Sequence, residues 1–373
     1  MEQFLGLPPD GSAYGYEVDH LIVIVHGLMF FLFAGWGSFF LYTIVRFRKS
    51  KNPIANYAGV KSHFSNYLEV AVAIFEVILL AGFSIPLWAK RVEAFPAEKG
   101  ATIVRVVGEQ FSWNVHYPGP DGLFGKTDIK LIDQDNPLGL DRTDPNAKDD
   151  ITTINQLNLP VGKPVIIYLS SKDVVHSLNL PLYRVKQDAI PGMSIPVWFT
   201  PVKTSQQIRE EVARYQSVAP QSLSSKLATS RVVTQDYAGK GGGVIVKQGE
   251  TVTDEMIKQL QDAGISDIQV TADLSGKVAM MNYSDSSGAA ILKKGDPVSD
   301  DAIQKLTAMG ITKILVASET PTEIACAQLC GLGHFKMRGY MTVQTQDEFN
   351  AWIAEQEAAL GNQESTPSKE NKP

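Results

Sequence analysis

Cysteine is almost absent: the 373 residues hold two, Cys326 and Cys330. Two cysteines in one short stretch leave no general disulfide framework. Histidine is scarce too, six in all, and positions 204–325 contain neither residue, which removes that long segment as a source of metal ligands of these types. Acid is missing from 43–68, where Arg46, Arg48, Lys49, Lys51 and Lys61 fall. The formal net charge of −6 argues against nucleic acid and admits a basic protein partner. No basic segment precedes an apolar core at the start, so no uncleaved signal peptide is expected.

What the chain does have is two long apolar runs near its start, at 20–45 and 67–88. Each is long enough to cross a bilayer. Gly27, Gly35 and Gly37 give the first run places for close approach of a neighbouring helix. The basic, acid-free loop between the runs is expected in the cytoplasm by the positive-inside rule. Both termini then face outward, and everything after Trp88 is exported to the periplasmic side of a bacterial inner membrane. Glu69 and Glu76 sit seven residues apart in the second run and so share a helical face. An ionisable group at membrane depth is costly and points to function, although Glu69, close to the helix end, also fits an interfacial residue reaching water. His20, His26 and His116 read as structural.

The densest chemistry lies at 326–337, CAQLCGLGHFKM. Cys326, Cys330, His334 and Met337 place two thiolates, an imidazole and a thioether within a dozen residues. Soft sulfur donors with imidazole select copper over hard cations. Zinc rarely takes methionine, and the spacing is not that of c-type haem attachment. A short disulfide between Cys326 and Cys330 is the plainer alternative. Gly331 and Gly333 allow the tight turn that returns His334 toward the sulfurs.

This stretch, continued as CAQLCGLGHFKMRGY, resembles the binuclear copper loop of subunit II of haem-copper oxygen reductases, the cytochrome c oxidase subunit 2 family; nitrous-oxide reductase carries a similar loop. The segment SKDVVHSLNLPLYRVKQDAIPGMSIPVWFT at 171–200 resembles the family's other block, with His176 as the remaining ligand. The resemblance implies two copper ions bridged by Cys326 and Cys330. His176 and His334 each cap one ion, Met337 is a weak axial ligand, and Gln328 contributes its main-chain carbonyl. Many members have glutamate where Gln328 stands, and that side chain helps bind magnesium. A neutral amide is a weaker ligand for a hard cation. GEQFSWNVHYPG at 108–119 resembles the aromatic patch where electrons enter, with Phe111 in place of the usual tryptophan and Trp113 matching a later aromatic. A strand whose aromatic side chains merely face one side of a sheet accounts for the same pattern. Glu69 resembles the glutamate at the mouth of a proton channel shared with subunit I.

Between these blocks the chain reads as strands. ATIVRVV, FSWNVHY and KPVIIYLS are rich in β-branched and aromatic residues and bounded by Gly, Pro and Asp. The positions 119–150 read as a long surface loop. The fold expected is a two-helix transmembrane hairpin at 20–92 after an exported segment at 1–19. An all-β cupredoxin-like Greek-key barrel follows, at 101–204 and 321–345, interrupted by an inserted α+β domain at 205–320. A C-terminal helix and disordered tail occupy 346–373.

The insertion contains a duplicated unit, at 231–276 and 277–320. VIVKQGETVTDEMIKQLQDAGISDIQV aligns without gaps on AILKKGDPVSDDAIQKLTAMGITKILV, with Gly249 falling on Gly295 and Tyr237 on Tyr283. Each unit reads strand, turn, helix, glycine stop, strand. Thr253 and Ser299 are natural N-caps, and Gly264 and Gly310 are natural stops. The two apolar helix stripes are expected to bury against each other, with 205–230 serving as a linker. The module is either a docking element for an electron donor or another subunit, or a passive insertion.

The function implied by the resemblance is the electron-accepting subunit of a respiratory terminal oxidase. It would take electrons from cytochrome c, or a membrane-bound cytochrome, and pass them to haem in subunit I. A membrane-anchored copper carrier or chaperone without a catalytic partner is the alternative.

Overall fold

The computed structural model describes residues 5–54, 57–58 and 62–364. Lys61 and the expected tail beyond 364 lie outside the described residues. Along the chain, helix α1 spans Gly15–Arg46 and α2 spans Phe64–Leu79, running through a π-turn at Leu80–Ser84 into α3, Ile85–Val92. Strands follow as β1 Thr102–Glu109, β2 Ser112–Tyr117, β3 Ile151–Ile154, β4 Gln156–Pro160, β5 Val165–Ser171, β6 His176–Leu180, β7 Val185–Ala189 and β8 Ile195–Phe199. Next come α4 Ser205–Val212, β9 Arg214–Ser217, β10 Gln221–Ser224, β11 Tyr237–Ala238, β12 Val244–Val246, α5 Asp254–Asp262 and β13 Asp267–Val270. The remainder is β14 Lys277–Ala279, β15 Tyr283–Ser284, β16 Ala290–Leu292, α6 Asp300–Ala308, β17 Lys313–Ser318, β18 Glu323–Cys326, β19 Arg338–Gln344 and α7 Gln346–Glu364. The chain divides into two compact units: 1–204 with 322–373, and 205–321.

In the first unit, α1 and the continuous helix Phe64–Val92 are both long and apolar enough to cross a membrane, and their large side chains stay exposed, Phe31 at 75%. The first helix begins at Gly15, earlier than the sequence pattern implied, because the preceding residues are tied to the barrel. Gly11 N donates to Leu182 O, Ala13 N donates to Thr200 O, and Ser12 bridges Pro201. Arg184 completes this collar: it forms a buried pair with Asp19 at 2.7 Å and donates to the carbonyls of Pro8 and Pro9. Glu17 accepts from Lys90 and Arg91, joining the N-terminal end of α1 to the C-terminal end of α3.

The barrel is two five-stranded sheets, in the order β3-β2-β1-β5-β8 and β4-β19-β18-β6-β7. Most neighbours are antiparallel, but β1 lies parallel to β5, and β19 parallel to β4. The alternation of β1, with Val104 and Val106 fully buried, and the near-continuous burial of β5 fill the space between the sheets. The 119–150 segment is a loop with two short 3-10 turns, pinned by buried Asp150, which bonds His116 Nε2 at 2.6 Å and Gly125 N at 2.8 Å.

In the second unit, several aligned positions of the two stretches share local structure. Thr253 and Ser299 each cap a helix through the side-chain oxygen. Gly264 and Gly310 both take positive φ, 82° and 78°. The Tyr237 hydroxyl accepts from Gln269 N, and the Tyr283 hydroxyl accepts from Leu315 N at the matching position. Two expectations are corrected here. The helix stripes do not bury against each other. Ile257 and Leu260 lie in one core with Val233, Val246, Ile268 and Val270, whereas Ile303 and Leu306 lie in another with Leu292, Ile314 and Val316. Nor is 205–230 a linker. Strand β9 pairs with β17 and β10 pairs with β13, so this segment gives each repeat an edge strand. Each helix therefore finds its apolar partner in its own repeat's strands, which edge pairing holds in place.

Candidate metal centre

The register of the second barrel sheet assembles the site. Pairing of β18 with β6 sets Cys326 opposite Leu178, two residues along the strand from His176. Ala327 N donates to Ser177 O and so ties the start of the loop to the same strand. Beyond it the chain turns at Gly331, φ 137°, and closes through a 3-10 turn at His334–Lys336 that delivers Met337 beneath the loop. Residues 150 apart in sequence thereby meet.

The sulfurs of Cys326 and Cys330 stand 3.8 Å apart, both as free cysteines. His176 Nδ1 lies 3.9 Å from Cys326 Sγ, and His334 Nδ1 lies 3.5 Å from Cys330 Sγ. Met337 Sδ is 3.7 Å from Cys330 Sγ, and Gln328 O is 3.3 Å from Cys326 Sγ. His176, Cys330 and Met337 are buried; Cys326 and His334 are half-buried; the Gln328 side chain is exposed. All six sequence-expected donors are thus brought together around two sulfurs. His176, Cys326 and Cys330 form a cluster whose ligand atoms lie within 4.8 Å of one another. Burial, with the neighbouring Cys326 sulfur, pushes the Cys330 thiol up to about 11. A bound cation would hold the Cys330 sulfur as the thiolate at neutral pH.

The donor set fits copper: two thiols, two imidazoles and a thioether, with no carboxylate among them. The support around it also fits a metal site. His176 Nε2 bonds Asp173 Oδ1 at 2.8 Å, which leaves Nδ1 facing Cys326. A histidine ligand held at its second nitrogen by a carboxylate is the usual way to fix its orientation. Burial would raise the Asp173 carboxyl, but bonds from His176, Gln110 N and Val174 N outweigh it and hold the group below the ordinary carboxylate value. Gly108 on β1 permits the approach of the imidazole, because a Cβ there would lie 2.9 Å from the ring.

The aromatic residues divide. Phe111 is half-buried, its ring against Gly333 and Gly331 of the loop. Trp113 is wholly buried, edge-on to His176 with ring centroids 6.1 Å apart, and its Nε1 has no partner among the described residues. Glu69 and Glu76 are on α2, far along the chain from this site, and both are exposed. Sequence reasoning missed Gly108, Gln110 and Asp173. A signal existed for Asp173 alone, an acid three residues before a ligand histidine.

A membrane-anchored cupredoxin-like domain with a sulfur-rich metal centre is the class that this fold and site define. The comparisons agree. The profile of the family described as "Cytochrome C oxidase subunit II, periplasmic domain" matches residues 102–207. The "Alternative cytochrome c oxidase subunit 2" of Bradyrhizobium diazoefficiens is 34% identical over 197 residues, covering 52% of this chain and 69% of that protein. The cytochrome c oxidase subunit 2 of Cereibacter sphaeroides is 25% identical over 213 residues, covering 52% and 66%. The chain belongs to the cytochrome c oxidase subunit 2 family, a component of haem-copper oxidoreductases, and membership implies copper binding. Among solved structures, the periplasmic domain of subunit II of cytochrome oxidase from Bradyrhizobium japonicum is similar at 16% identity, covering 71% of this chain and 99% of that one. Its TM-score is 0.30.

Proposed function

We propose that this chain is the electron-accepting subunit of a respiratory terminal oxidase. It takes electrons from a cytochrome c, or a membrane-bound cytochrome, on the periplasmic face and hands them to haem in subunit I, where oxygen is reduced to water. The observation that carries this reading is the convergence of Cys326, Cys330, His176, His334, Met337 and the Gln328 carbonyl on one pair of sulfurs. Two copper ions held there would supply one-electron storage and release, with no substrate bond made or broken. Cys326, Cys330, His176, His334 and Met337, with the Gln328 carbonyl, would hold the ions.

The chain's own contribution is rigidity and exclusion of water. His176 is fully buried and bonded to Asp173, so its imidazole is oriented before a metal arrives. Phe111, over the loop, is the residue at which electrons would enter, with Trp113 inside it. Glu69 would stand at the inlet for protons. The basic residues between the helices support a cytoplasmic loop, both termini and the copper domain lying outside.

The test is the purified complex. Haem absorption and oxygen uptake with reduced cytochrome c are expected. Copper binding with no haem-bearing partner and no oxygen uptake would leave the copper-carrier alternative.

A further inference from the structure

We propose that Gln110 is a positioning residue for the metal centre, one that fixes the copper loop relative to His176. The idea rests on reading the six donors as a copper site.

Gln110 and Phe111 are the two residues between β1 and β2, whose last pair is Glu109 with Ser112. From this turn Gln110 makes two bonds in different directions. Its side-chain Nε2 donates to Cys330 O at 2.5 Å. Its main-chain N donates to Asp173 Oδ2 at 2.7 Å. The other oxygen of that carboxylate holds His176 Nε2 at 2.8 Å. Three hydrogen bonds therefore run from the backbone of Cys330 to the ring of His176, beside Cys326, through one glutamine and one carboxylate. Strand pairing brings β18 and β6 together, but the paired residues end at Cys326, and Cys330 lies four positions beyond, in irregular chain. Among the described residues, the Gln110 amide is what bonds the Cys330 carbonyl from outside the loop.

The fit leaves little slack. A Cβ at Gly331 would fall 2.7 Å from Gln110 Nε2, so the amide lies flat against the loop backbone. The turn itself is braced, because Ser112 Oγ donates to Glu109 Oε1 at 2.9 Å and Lys172 pairs with Glu109. The chemistry asks for a neutral donor of this length. Glutamate at 110 has nearly the same shape but lacks the donor and places a negative charge against a carbonyl and the Asp173 carboxylate. Methionine keeps the length and packing but donates nothing.

The experiment uses the full chain in its oxidase complex, with Gln110→Met and Gln110→Glu beside the parent. Copper content, the paramagnetic resonance and near-infrared spectra of the copper centre, its reduction potential, and the rate of copper loss to a chelator are measured. Both variants are expected to assemble with altered spectra and to hold copper about 10–100-fold less tightly, read as faster loss to the chelator. A Met variant with the parent's spectrum, potential and copper retention overturns the proposal. So does a variant that melts at lower temperature while those three stay unchanged, since that is a purely structural role. If the Met variant fails to assemble, the same readouts on the Glu variant decide in the same way. A parent complex that holds no copper rejects the copper reading itself, which distinguishes that failure from this one.

Discussion

Gly333 has no room for a side chain beneath Phe111: a Cβ built there lies 2.3 Å from Cδ2 of the ring. The glycine thus lets the aromatic residue rest on the copper loop and ties the proposed point of electron uptake to the ligand-bearing backbone.

Gly333→Ala should therefore push the ring or the loop aside. Overpacking of this kind costs about 1–3 kcal/mol. The expected result is a lower thermal midpoint together with slower electron uptake from reduced cytochrome c in rapid mixing. Unchanged uptake would show that electrons do not pass by way of Phe111.

Cys326→Ser and Cys330→Ser each remove one of the two sulfurs of the proposed copper site. The exported region of the parent, from Ala101, should bind two coppers per chain with a mixed-valence spectrum, and either variant should lose that spectrum. One copper per chain with a plain blue-copper spectrum would reject a binuclear site.

Glu69 is exposed on a helix long and apolar enough to span the membrane. Glu69→Gln should slow turnover of the assembled oxidase and leave its copper content at the parent level. Turnover equal to the parent's at every pH would make Glu69 an interfacial residue only.

The duplicated unit makes a paired prediction. Tyr237→Phe and Tyr283→Phe each remove a hydroxyl that accepts a main-chain N–H, from Gln269 and Leu315. Each should cost the 205–321 segment about 1–3 kcal/mol, the penalty for an unsatisfied donor. Because the tyrosines lie in separate cores, the costs should add. Urea melts of the isolated segment measure both. Replacing 205–320 by a Gly/Ser linker should keep the copper spectrum and weaken donor binding. Native donor kinetics in that variant would make the insertion passive.

Glu109 provides a pH test. Burial would raise its carboxyl, but the nearby Asn114 side chain, with hydrogen bonds from Lys172 and Ser112, holds it below its ordinary 4.5. Its contribution is then complete above the unfolded value and drains away as pH falls through the lower folded one. Lys172→Met should reduce stability at neutral pH and flatten its decline below pH 4.5. Parallel stability curves for parent and variant across that range would mean that the pair is screened out.

The linear sequence determined a good deal here. Helix length and apolarity are local properties, so both spans were legible in it, and so were the caps and stop glycines of the repeats. Cys326, Cys330, His334 and Met337 fall within one turn-rich stretch, so their chemistry was legible as well. Other features depended on which strands pair. Only the β18–β6 register brings His176 to Cys326, across residues that share no local pattern. Gln110 looks like an ordinary polar residue in the chain and Asp173 carries only a faint signal, three residues before His176; they become supports of the site only when the β1–β2 turn meets the copper loop. The two repeats show the same division. Their helices were predictable from period and caps, but the burial of each stripe on its own repeat's strands was decided by tertiary pairing, with β9 and β10 at the edges. Those strands lie upstream and carry few apolar residues of their own, because an edge strand is held chiefly by backbone hydrogen bonds, which leave little trace in the sequence.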